Sequence, residues 1–379
     1  MGEKTKIQWC DMTFSPWRGC AKVAAGCQHC FSEAMAKRNP KVFGTWGPDG
    51  SRVVASDAYW RQPVRWNAAA EFWGQCSVCG WRGNVGPSNG CCGRPGCLGL
   101  PSEVDKARPR VFCGSMCDVF EDRNDLHEPR ARLIRLIDAT PHLDWLLLTK
   151  RAEKVMSILC TMAHSLNDGM AAWWRYVEGF PKNVWLGVSC STQEDVDRNV
   201  PHLLRIPAAV RFLSLEPLLE AIELPGGLRG EEVCPECGGD AGANSDGTWQ
   251  CVAIVDGNLG CGWRGEEATS APSIDWVIVG GESGPRARPC HVDWIRSVMA
   301  QCTAACVARF VKQLGFDVRG NYDDFQYLTQ TSHLLGMGDF HDGAGDSHVI
   351  RLGDARGGRP DEWPADLQVR EFPSVRAKR

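Results

Sequence analysis

The sequence lacks any apolar stretch long enough to cross a membrane. No uninterrupted run of apolar residues approaches the roughly 18–20 residues that a membrane-spanning helix needs. The opening residues, MGEKTKIQW, contain no apolar core of the kind that a secretory signal requires. These absences argue against a helical membrane protein, and we expect a cytoplasmic protein with no membrane partner.

An excess of basic residues is also missing. Lys and Arg number 42 and Asp and Glu number 46, which gives a net charge of −4. This balance excludes a protein coated in positive charge for nucleic-acid binding, although it permits a local basic groove. The nine histidines form no pair at metal-ligand spacing on a helix. Candidate metal ligands must therefore be sought among the cysteines.

Cysteine is the residue that the sequence has in excess, with 20 in 379 positions. In a long chain without a secretory signal, so many thiols indicate metal sites before disulfides. Most of them fall into tight groups, at positions 20/27/30, 76/79/91/92/97, 113/117, 234/237/251/261 and 302/306.

Six short apolar runs, each ending abruptly in polar residues or glycine, are typical of buried parallel strands. Helical patterns separate them, with apolar spacing over 126–139 and 291–307 and a start signal at 191–192. This alternation predicts an α/β fold with a partial or full parallel β/α (TIM-like) barrel. An Asp-Trp-apolar-apolar opening at 144 and again at 275 suggests equivalent units around the barrel. The runs are 110–118, 144–150, 183–189, 210–217, 275–282 and 308–313.

The carboxyl ends of these strands carry most of the polar candidates for a site. Barrel enzymes have their chemistry at that end, so these side chains should meet around one cavity. The alternative is that each of them merely ends its strand in solvent. The candidates are Ser115, Asp118, Thr149, Lys150, Arg151, Ser189, Glu216, Gly280, Gly281, Glu282, Ser283 and Lys312.

Two Gly- and Cys-rich insertions, 70–105 and 229–272, interrupt the barrel pattern. Each contains a C-x2-C pair followed by further cysteines, as zinc ribbons do, and structural zinc is the expected occupant. Free thiols and additional [4Fe–4S] clusters are the alternatives. The candidate ligands are Cys76, Cys79, Cys91 or Cys92, and Cys97 in the first insertion, and Cys234, Cys237, Cys251 and Cys261 in the second. The other expected parts are the cluster loop with the start of the barrel (1–69), the barrel (106–228), its end (273–318) and a surface tail (319–379).

A loop near the amino terminus holds Cys20, Cys27 and Cys30. Iron–sulfur clusters normally take four cysteines, so a site with three would leave one iron open to a cofactor or substrate. Cys30 begins a helical stretch whose amino end favours an anionic cluster, and the glycines that precede Cys20 and Cys27 permit tight turns. A zinc site with Cys10 as fourth ligand and a group of unligated thiols are the alternatives.

This loop resembles that of radical S-adenosylmethionine (SAM) enzymes, which combine three clustered cysteines with a partial or full β/α barrel. The spacing here, C-x6-C-x2-C, departs from their usual C-x3-C-x2-C. More closely, the chain resembles a three-cysteine-motif family associated with phages and mobile elements. Other residues are expected at Cys10 and Cys117 in that family, which weakens the zinc alternative. The matching stretches are 5–9, 19–30, 115–120, 148–151, 187–189, 214–218, 276–284 and 310–313.

The resemblance implies a [4Fe–4S] cluster on Cys20, Cys27 and Cys30, with SAM as the cofactor that is cleaved to a 5′-deoxyadenosyl radical. An electron donor of the flavodoxin or ferredoxin type would be a partner. The implied catalytic residues, some of which would hold a carboxylate or phosphate, are Lys150, Arg151, Glu216 and Lys312. The implied cofactor-binding residues are Ser115, Asp118, Ser189, Glu216, Gly280, Gly281 and Glu282.

Some members of the phage-associated family look linked to hypermodified thymidine, which implies a modified base in DNA as the substrate. The implied reaction is an isomerisation, such as moving a glycyl attachment from nitrogen to carbon, in the cytoplasm of a bacterial host. Lys150, Arg151, Arg286 and Arg288 would contact phosphate or carboxylate groups, and two ribbons flanking the barrel mouth would steady the DNA. Two other functions stay open. One is a zinc-ribbon nucleic-acid-binding protein on an inactive barrel, and the other is an iron–sulfur redox or sensor protein without SAM chemistry.

Overall fold

Seven parallel strands form the central sheet of the protein. They lie side by side in chain order, and the sheet curls into a half-barrel. The strands are β1 (Met12–Phe14), β2 (Arg110–Cys113), β3 (Asp144–Thr149), β4 (Val184–Ser189), β5 (Val210–Leu215), β6 (Trp276–Gly280) and β7 (Ala308–Gln313). The computed structural model describes residues 5–85, 97, 104–165, 180–225, 228, 232–233, 241–246, 248–252, 254–255, 258–259, 261, 264–265, 269–270, 273–321, 325 and 348–373.

All six predicted runs are strands of this sheet, which confirms a parallel α/β fold compatible with a partial barrel. The sequence pattern does not predict β1, because three residues are too few to show a period. Pairing with β2 holds it in place. Asp11 donates its backbone N–H to the carbonyl of Arg110 (2.9 Å), and the Asp11 carboxylate accepts the N–H of Arg110 (2.8 Å).

The helices confirm the main sequence signals. The helices His127–Asp138 and Val292–Ala304 fall within the predicted spans 126–139 and 291–307. Thr192 caps the helix Gln193–Leu204 by accepting the N–H of Asp195 at 3.3 Å. Within the described ranges, no helix combines the length and the apolar character that a bilayer crossing requires. The helices of these ranges are α1 (Phe31–Arg38), α2 (Pro40–Phe43), α3 (Asp57–Trp60), α4 (Gln62–Ala69), α5 (His127–Asp138), α6 (Val155–Ser165), α7 (Gln193–Leu204) and α8 (Val292–Ala304).

Both faces of the sheet are covered, which explains why its strands do not alternate between apolar and polar residues. Side chains from α5, α7 and α8 pack on one face, together with the alternate strand residues that point towards them. The other face carries an aromatic cluster that Trp9 closes, with its ring centroid 4.6 Å from that of Phe112. The strand residues of the aromatic cluster are Phe112, Leu146, Trp185, Val210, Phe212, Trp276, Ile278 and Phe310.

The two Asp-Trp openings are not equivalent. Trp145 packs on the helix-covered face, whereas Trp276 belongs to the aromatic cluster on the other face. The strand residues paired with them lie on the same two faces. Trp145 pairs with Val111 on the helix-covered face, and Trp276 pairs with Phe212 in the aromatic cluster. A shift of one residue in a strand exchanges the faces of all its side chains. The prediction of equivalent units from this repeat is therefore wrong.

The first insertion joins the barrel at the amino-terminal ends of the strands. Arg82 makes the connection, donating from Nε to Asp11 Oδ2 (3.4 Å) and from Nη2 to the carbonyl of Arg108 (2.5 Å), just before β1 and β2 begin. The barrel mouth lies at the opposite ends of these strands, so the described part of this insertion does not flank the mouth, contrary to the expectation. Its described residues form an antiparallel sheet of Trp73–Cys76 between Arg82–Asn84 and Val104–Lys106.

The second insertion lies between β5 and β6. The N–H of Ile274 donates to the carbonyl of Leu228 (3.2 Å), which joins the two ends of the insertion two residues before β6 begins. Cys251 is buried and Cys261 is exposed, while Cys234 and Cys237 lie outside the described residues. Its described strands are Glu232–Val233 paired with Thr269–Ser270, Trp249–Cys251 between Ala241–Ala243 and Arg264–Gly265, and Ile254–Val255 paired with Asn258–Leu259.

The described end of the chain, for which the composition predicts a surface tail, lies against the edge of the barrel. Val311 donates its N–H to the carbonyl of Val369 (2.9 Å), so residues near 370 pair with the edge strand β7. Phe372 then packs on Trp276, with 5.3 Å between ring centroids, and Trp363 is 0% exposed. Aromatic side chains therefore draw this segment onto the barrel. The remaining small sheets are Trp17–Arg18 with Val53–Val54, and Cys290–His291 with Val318–Gly320 and His348–Ile350.

Candidate functional site

A cavity of about 700 Å³ opens at the carboxyl ends of the strands. Its walls combine the three-cysteine loop with the strand ends, and its floor reaches the aromatic cluster at Trp9 and Phe112. Gly280, Gly281 and Glu282 are not among the described residues that line it. The candidates that do line it are Cys20, Cys27, Cys30, Ser115, Asp118, Thr149, Lys150, Arg151, Ser189, Glu216 and Lys312.

Asp118 organises the polar end of β3. Its carboxylate accepts hydrogen bonds from Thr149 Oγ1 (2.8 Å), the N–H of Lys150 (3.1 Å) and Arg151 Nη1 (2.7 Å). The side chains of Asp118 and Arg151 are each less than a tenth exposed. Because its oxygens are engaged by these donors, Asp118 positions Arg151 and the strand end.

Arg151 connects this strand end to the cysteine loop. Its Nη2 donates to the carbonyl of Ala21 (3.0 Å), and its Nη1 lies 3.9 Å from the sulfur of Cys20. Burial raises the pKa of Cys20 to about 12, and the charge of Asp118 adds to the rise while Arg151 opposes it. The bare thiol is therefore protonated at neutral pH, and a bound metal would convert it to the thiolate that coordinates.

Cys30 immediately precedes α1. Burial raises the pKa of Cys30, whereas the backbone N–H groups of Glu33 and Ser32 at the start of the helix lower it. These free amides favour negative charge at this position. Ser32 also fixes the helix to the barrel, because its hydroxyl donates to the carbonyl of Ser115 at 3.1 Å.

The two glycines of the cysteine loop have different roles. Gly19 has a φ of +107°, a left-handed conformation that favours glycine, which agrees with the expected tight turn. Gly26 instead permits a close approach, since a Cβ there would lie 2.1 Å from the hydroxyl oxygen of Ser191. A side chain at Gly26 would require Ser191 or the loop to shift.

The sulfur atoms of Cys20, Cys27 and Cys30 do not all lie within 4.8 Å of one another. Among the described residues, the one set of three or more potential ligand atoms within 4.8 Å of one another consists of Cys76, Cys79 and Cys97. Tetrahedral zinc, with Zn–S near 2.3 Å, holds its sulfurs about 3.8 Å apart, whereas a cluster spreads its cysteines over several irons. Cys10 lies in the aromatic cluster and is absent from the described cavity lining, so a zinc site that it completes lacks support.

Two lysines, each paired with a neighbouring polar side chain, form the polar wall of the cavity. Lys150 donates from Nζ to the hydroxyl of Ser189 at 2.5 Å. Lys312 forms an ion pair with Glu216, with 2.7 Å between Nζ and Oε1. The charge of Lys312 is balanced by this carboxylate, whereas Lys150 contacts a neutral hydroxyl. Lys150 is therefore the cation best placed to bind an anionic group in the cavity.

Glu282 and Arg288 hold the cysteine loop from the other side. Arg288 donates to both carboxylate oxygens of Glu282, at 2.9 Å to Oε2 and 2.8 Å to Oε1, and to the carbonyl of Ala25 at 2.9 Å. His29 Nδ1 lies 3.2 Å from Glu282 Oε2. Burial acts to raise the pKa of Glu282, but the hydrogen bonds from Arg288 outweigh it and the pKa is lowered.

Arg288 is therefore engaged by Glu282 and Ala25, and a role in contacting substrate phosphate or carboxylate groups is not supported. Sequence reasoning missed its role as a loop anchor. The residues that it joins lie about 260 positions apart, and no local pattern links them.

Gly280 and Gly281 face the end of β7. A Cβ at Gly281 would lie 2.1 Å from the carbonyl oxygen of Leu314, and a Cβ at Gly280 would lie 2.9 Å from that of Gln313. The side chain of Gln313 also donates to the carbonyl of Gly281 at 2.8 Å. The two glycines therefore serve close packing between backbones, and binding of a cofactor by them stays a prediction.

The chain matches one protein-family model over residues 4–354, a range that includes all seven strands, the three-cysteine loop and both insertions. That family is described as a protein of unknown function (DUF5131). No curated protein and no solved structure matches the chain. The protein therefore belongs to the DUF5131 family.

Proposed function

We propose that the protein is a radical SAM enzyme that binds a [4Fe–4S] cluster through Cys20, Cys27 and Cys30. The observation that carries this proposal is the shared cavity, which is lined by these three thiols and by polar side chains from the ends of parallel strands. The half-barrel would then be of the radical SAM type, with its chemistry at the carboxyl ends of the strands.

The surroundings of the three thiols suit an anionic cluster. The guanidinium of Arg151 lies beside Cys20, and the free amides of α1 follow Cys30. The wide spacing of the sulfurs also suits a cluster better than a single ion. When bound, the cluster would offer its fourth iron to SAM and supply the electron that cleaves SAM to a 5′-deoxyadenosyl radical.

The polar wall would bind and orient the organic groups. Lys150 would hold a carboxylate or phosphate, while Ser189 and Glu216 would accept hydrogen bonds from hydroxyl or amino groups. Lys312 would hold the Glu216 carboxylate in place through their ion pair. The volume of about 700 Å³ is within the range of ligand pockets and leaves room for a nucleoside cofactor with part of a substrate.

The rim of the cavity supports a nucleic-acid substrate. Phe31 and Val42 line the cavity and are 60% and 40% exposed, and α1 and α2 add exposed cations at Lys37, Arg38 and Lys41. Aromatic faces beside cations are the usual means of holding unstacked bases and their phosphates. We propose DNA as the substrate on this ground. The resemblance to the phage-associated family adds the modified thymidine and the isomerisation of its amino-acid attachment.

The experiment that tests the proposed function is reductive SAM cleavage by anaerobically reconstituted protein. We expect a brown protein that forms 5′-deoxyadenosine when dithionite is added. A colourless, iron-free protein would instead favour a nucleic-acid-binding protein on an inactive barrel. A brown protein that leaves SAM intact would favour an iron–sulfur redox or sensor protein.

The same assay addresses the substrate. DNA that carries the glycyl-modified thymidine should accelerate deoxyadenosine formation over unmodified DNA, and the nucleoside should change its retention time without changing its mass. Acceleration by a peptide or metabolite, with none by any DNA, would contradict the nucleic-acid assignment and leave the radical mechanism standing.

Loss of the Arg288 anchor should reduce cluster loading. Arg288→Ala removes the donors to Ala25 and Glu282, so on this side the loop keeps only the contact of His29 with Glu282. We expect iron content after reconstitution to fall at least about twofold, while the free energy of unfolding changes by no more than a few kcal/mol. Arg286→Ala is the matched control, since Arg286 is exposed two positions away. Equal iron content in the two variants would contradict this role.

Two further parts belong to the same proposal. The second insertion would be a zinc-ribbon-like module, in which Cys251 and Cys261 are the candidate ligands within the described residues. A reduced flavodoxin or ferredoxin would deliver the electron in the cell.

A further inference from the structure

We propose that Cys76, Cys79 and Cys97 bind one structural zinc ion at the end of the barrel opposite the cavity. This inference does not rest on the radical SAM function, because the site and the three-cysteine loop share no residue. It would give the protein a second metal whose purpose is to hold the fold.

The spacing of these sulfurs fits a single ion. All three lie within 4.8 Å of one another, and those of Cys76 and Cys97 are 3.9 Å apart. A tetrahedral zinc site requires about 3.8 Å between its sulfurs, since each Zn–S bond is about 2.3 Å long. Cys76 is fully buried and the other two are half-buried, so water is largely kept from the site. Soft thiolates at this spacing select zinc over magnesium or calcium.

The local backbone brings the ligands together. Cys76 ends the central strand of the insertion, and a tight turn follows in which the N–H of Gly80 donates to the carbonyl of Cys76 at 2.9 Å. This turn returns Cys79 to the side of Cys76. Cys97 lies seven positions before Val104, which pairs with Cys76 in the sheet. The ion would therefore join the turn to Cys97.

The insertion needs such a tie because three short strands bury too little apolar surface to be stable alone. Its connection to the barrel is polar and specific. Arg82 binds Asp11, and the same carboxylate oxygen accepts the N–H of Arg110, the first residue of β2. Zinc at the three cysteines would thus brace the starting ends of β1 and β2. A tetrahedral ion also needs a fourth ligand, and the sequence candidates Cys91 and Cys92 lie outside the described residues.

Zinc analysis of purified full-length protein tests this inference. Cys76→Ser should lose one zinc per chain relative to the unaltered protein, and its Tm should fall by about 5 °C or more, since metal binding contributes folding energy. Cys306→Ser is the control for the loss of one thiol, because Cys306 is exposed and far along the chain. The triple variant of Cys20, Cys27 and Cys30 should keep its full zinc content, which separates this site from the proposed cluster.

Cobalt substitution is a second test that does not require Cys76→Ser to fold, because it begins with the unaltered protein. The unaltered protein, grown or exchanged with Co²⁺, should show sulfur-to-cobalt charge-transfer bands and the visible bands of a tetrahedral site. Cys97→Ser or Cys79→Ser should lose the share of these bands that belongs to this site. Folded protein with no metal that depends on Cys76 would overturn the inference, as would a Cys76–Cys97 disulfide found by non-reducing mass analysis.

Discussion

Replacing Cys20, Cys27 or Cys30 with alanine is expected to lower the iron of the reconstituted protein from about four atoms per chain to background and to abolish SAM cleavage. Each of these residues is one of only three proposed protein ligands, so the loss of any one leaves two. The burial that raises the pKa values of Cys20 and Cys30 increases the effect, because the remaining thiols return to their neutral form. Iron analysis and the absorbance of the cluster measure the result.

Cys10→Ala is the control for this prediction. Cys10 is buried in the aromatic cluster, and its sulfur lies 3.9 Å from the carbonyl oxygen of Ile7. Its removal should change stability slightly and leave the iron content unchanged. If Cys10→Ala lost as much iron as Cys20→Ala, a closed site with four ligands would replace the open cluster, and SAM binding to iron would lose its basis.

Asp118→Ala is expected to destabilise the protein by about 3–5 kcal/mol, because it leaves the guanidinium of Arg151 buried without its counter-ion. The variant also removes the acceptor for Thr149 Oγ1 and for the N–H of Lys150. Arg151 would then hold Ala21 and Cys20 less firmly, so the iron content should fall as well. Urea unfolding followed by circular dichroism measures the free energy of unfolding.

A comparison with an exposed ion pair tests whether burial is the cause of the stability loss in Asp118→Ala. Glu194 is 88% exposed and lies 3.8 Å from Arg198, so Glu194→Ala should change stability by no more than about 0.5 kcal/mol. Replacing Arg151 with Met in the Asp118→Ala background should recover part of the loss, because the unpaired charge is then gone. Equal effects of Asp118→Ala and Glu194→Ala would show that the pair is not the support of the site.

Local signals in the sequence predict much of the fold. Runs such as 144–150 and 210–217 are apolar without alternation, and strands buried on both faces have this composition. The polar residues that end them, such as Asp118 and Lys150, line a common cavity because parallel strands present their carboxyl ends on one side. The grouping of Cys20, Cys27 and Cys30 can be read directly from the sequence, because these residues lie within eleven positions.

Other features depend on contacts between distant segments. β1 is a strand because Asp11 and Arg110 pair across the sheet, although three residues carry no signal of their own. Phe372 belongs to the barrel because its ring fits against Trp276, whereas its neighbours in sequence have the composition of a surface tail. The end of the barrel at which an insertion lies is likewise decided by contacts such as that of Arg82 with Asp11.

The sequence by itself determined six of the seven strands, the α/β class and most of the residues that gather at the barrel mouth, because hydrophobic burial and strand direction act locally and repeat along the chain. Only the tertiary structure decided which polar residues bind each other. Asp118 engages Arg151, and Glu282 engages Arg288 and lies beside His29, 253 positions away. The residues of these two ion pairs lie in the loops that follow β2, β3 and β6, so their partners are decided by how the folded sheet brings its loops together. No local sequence pattern records which loops meet.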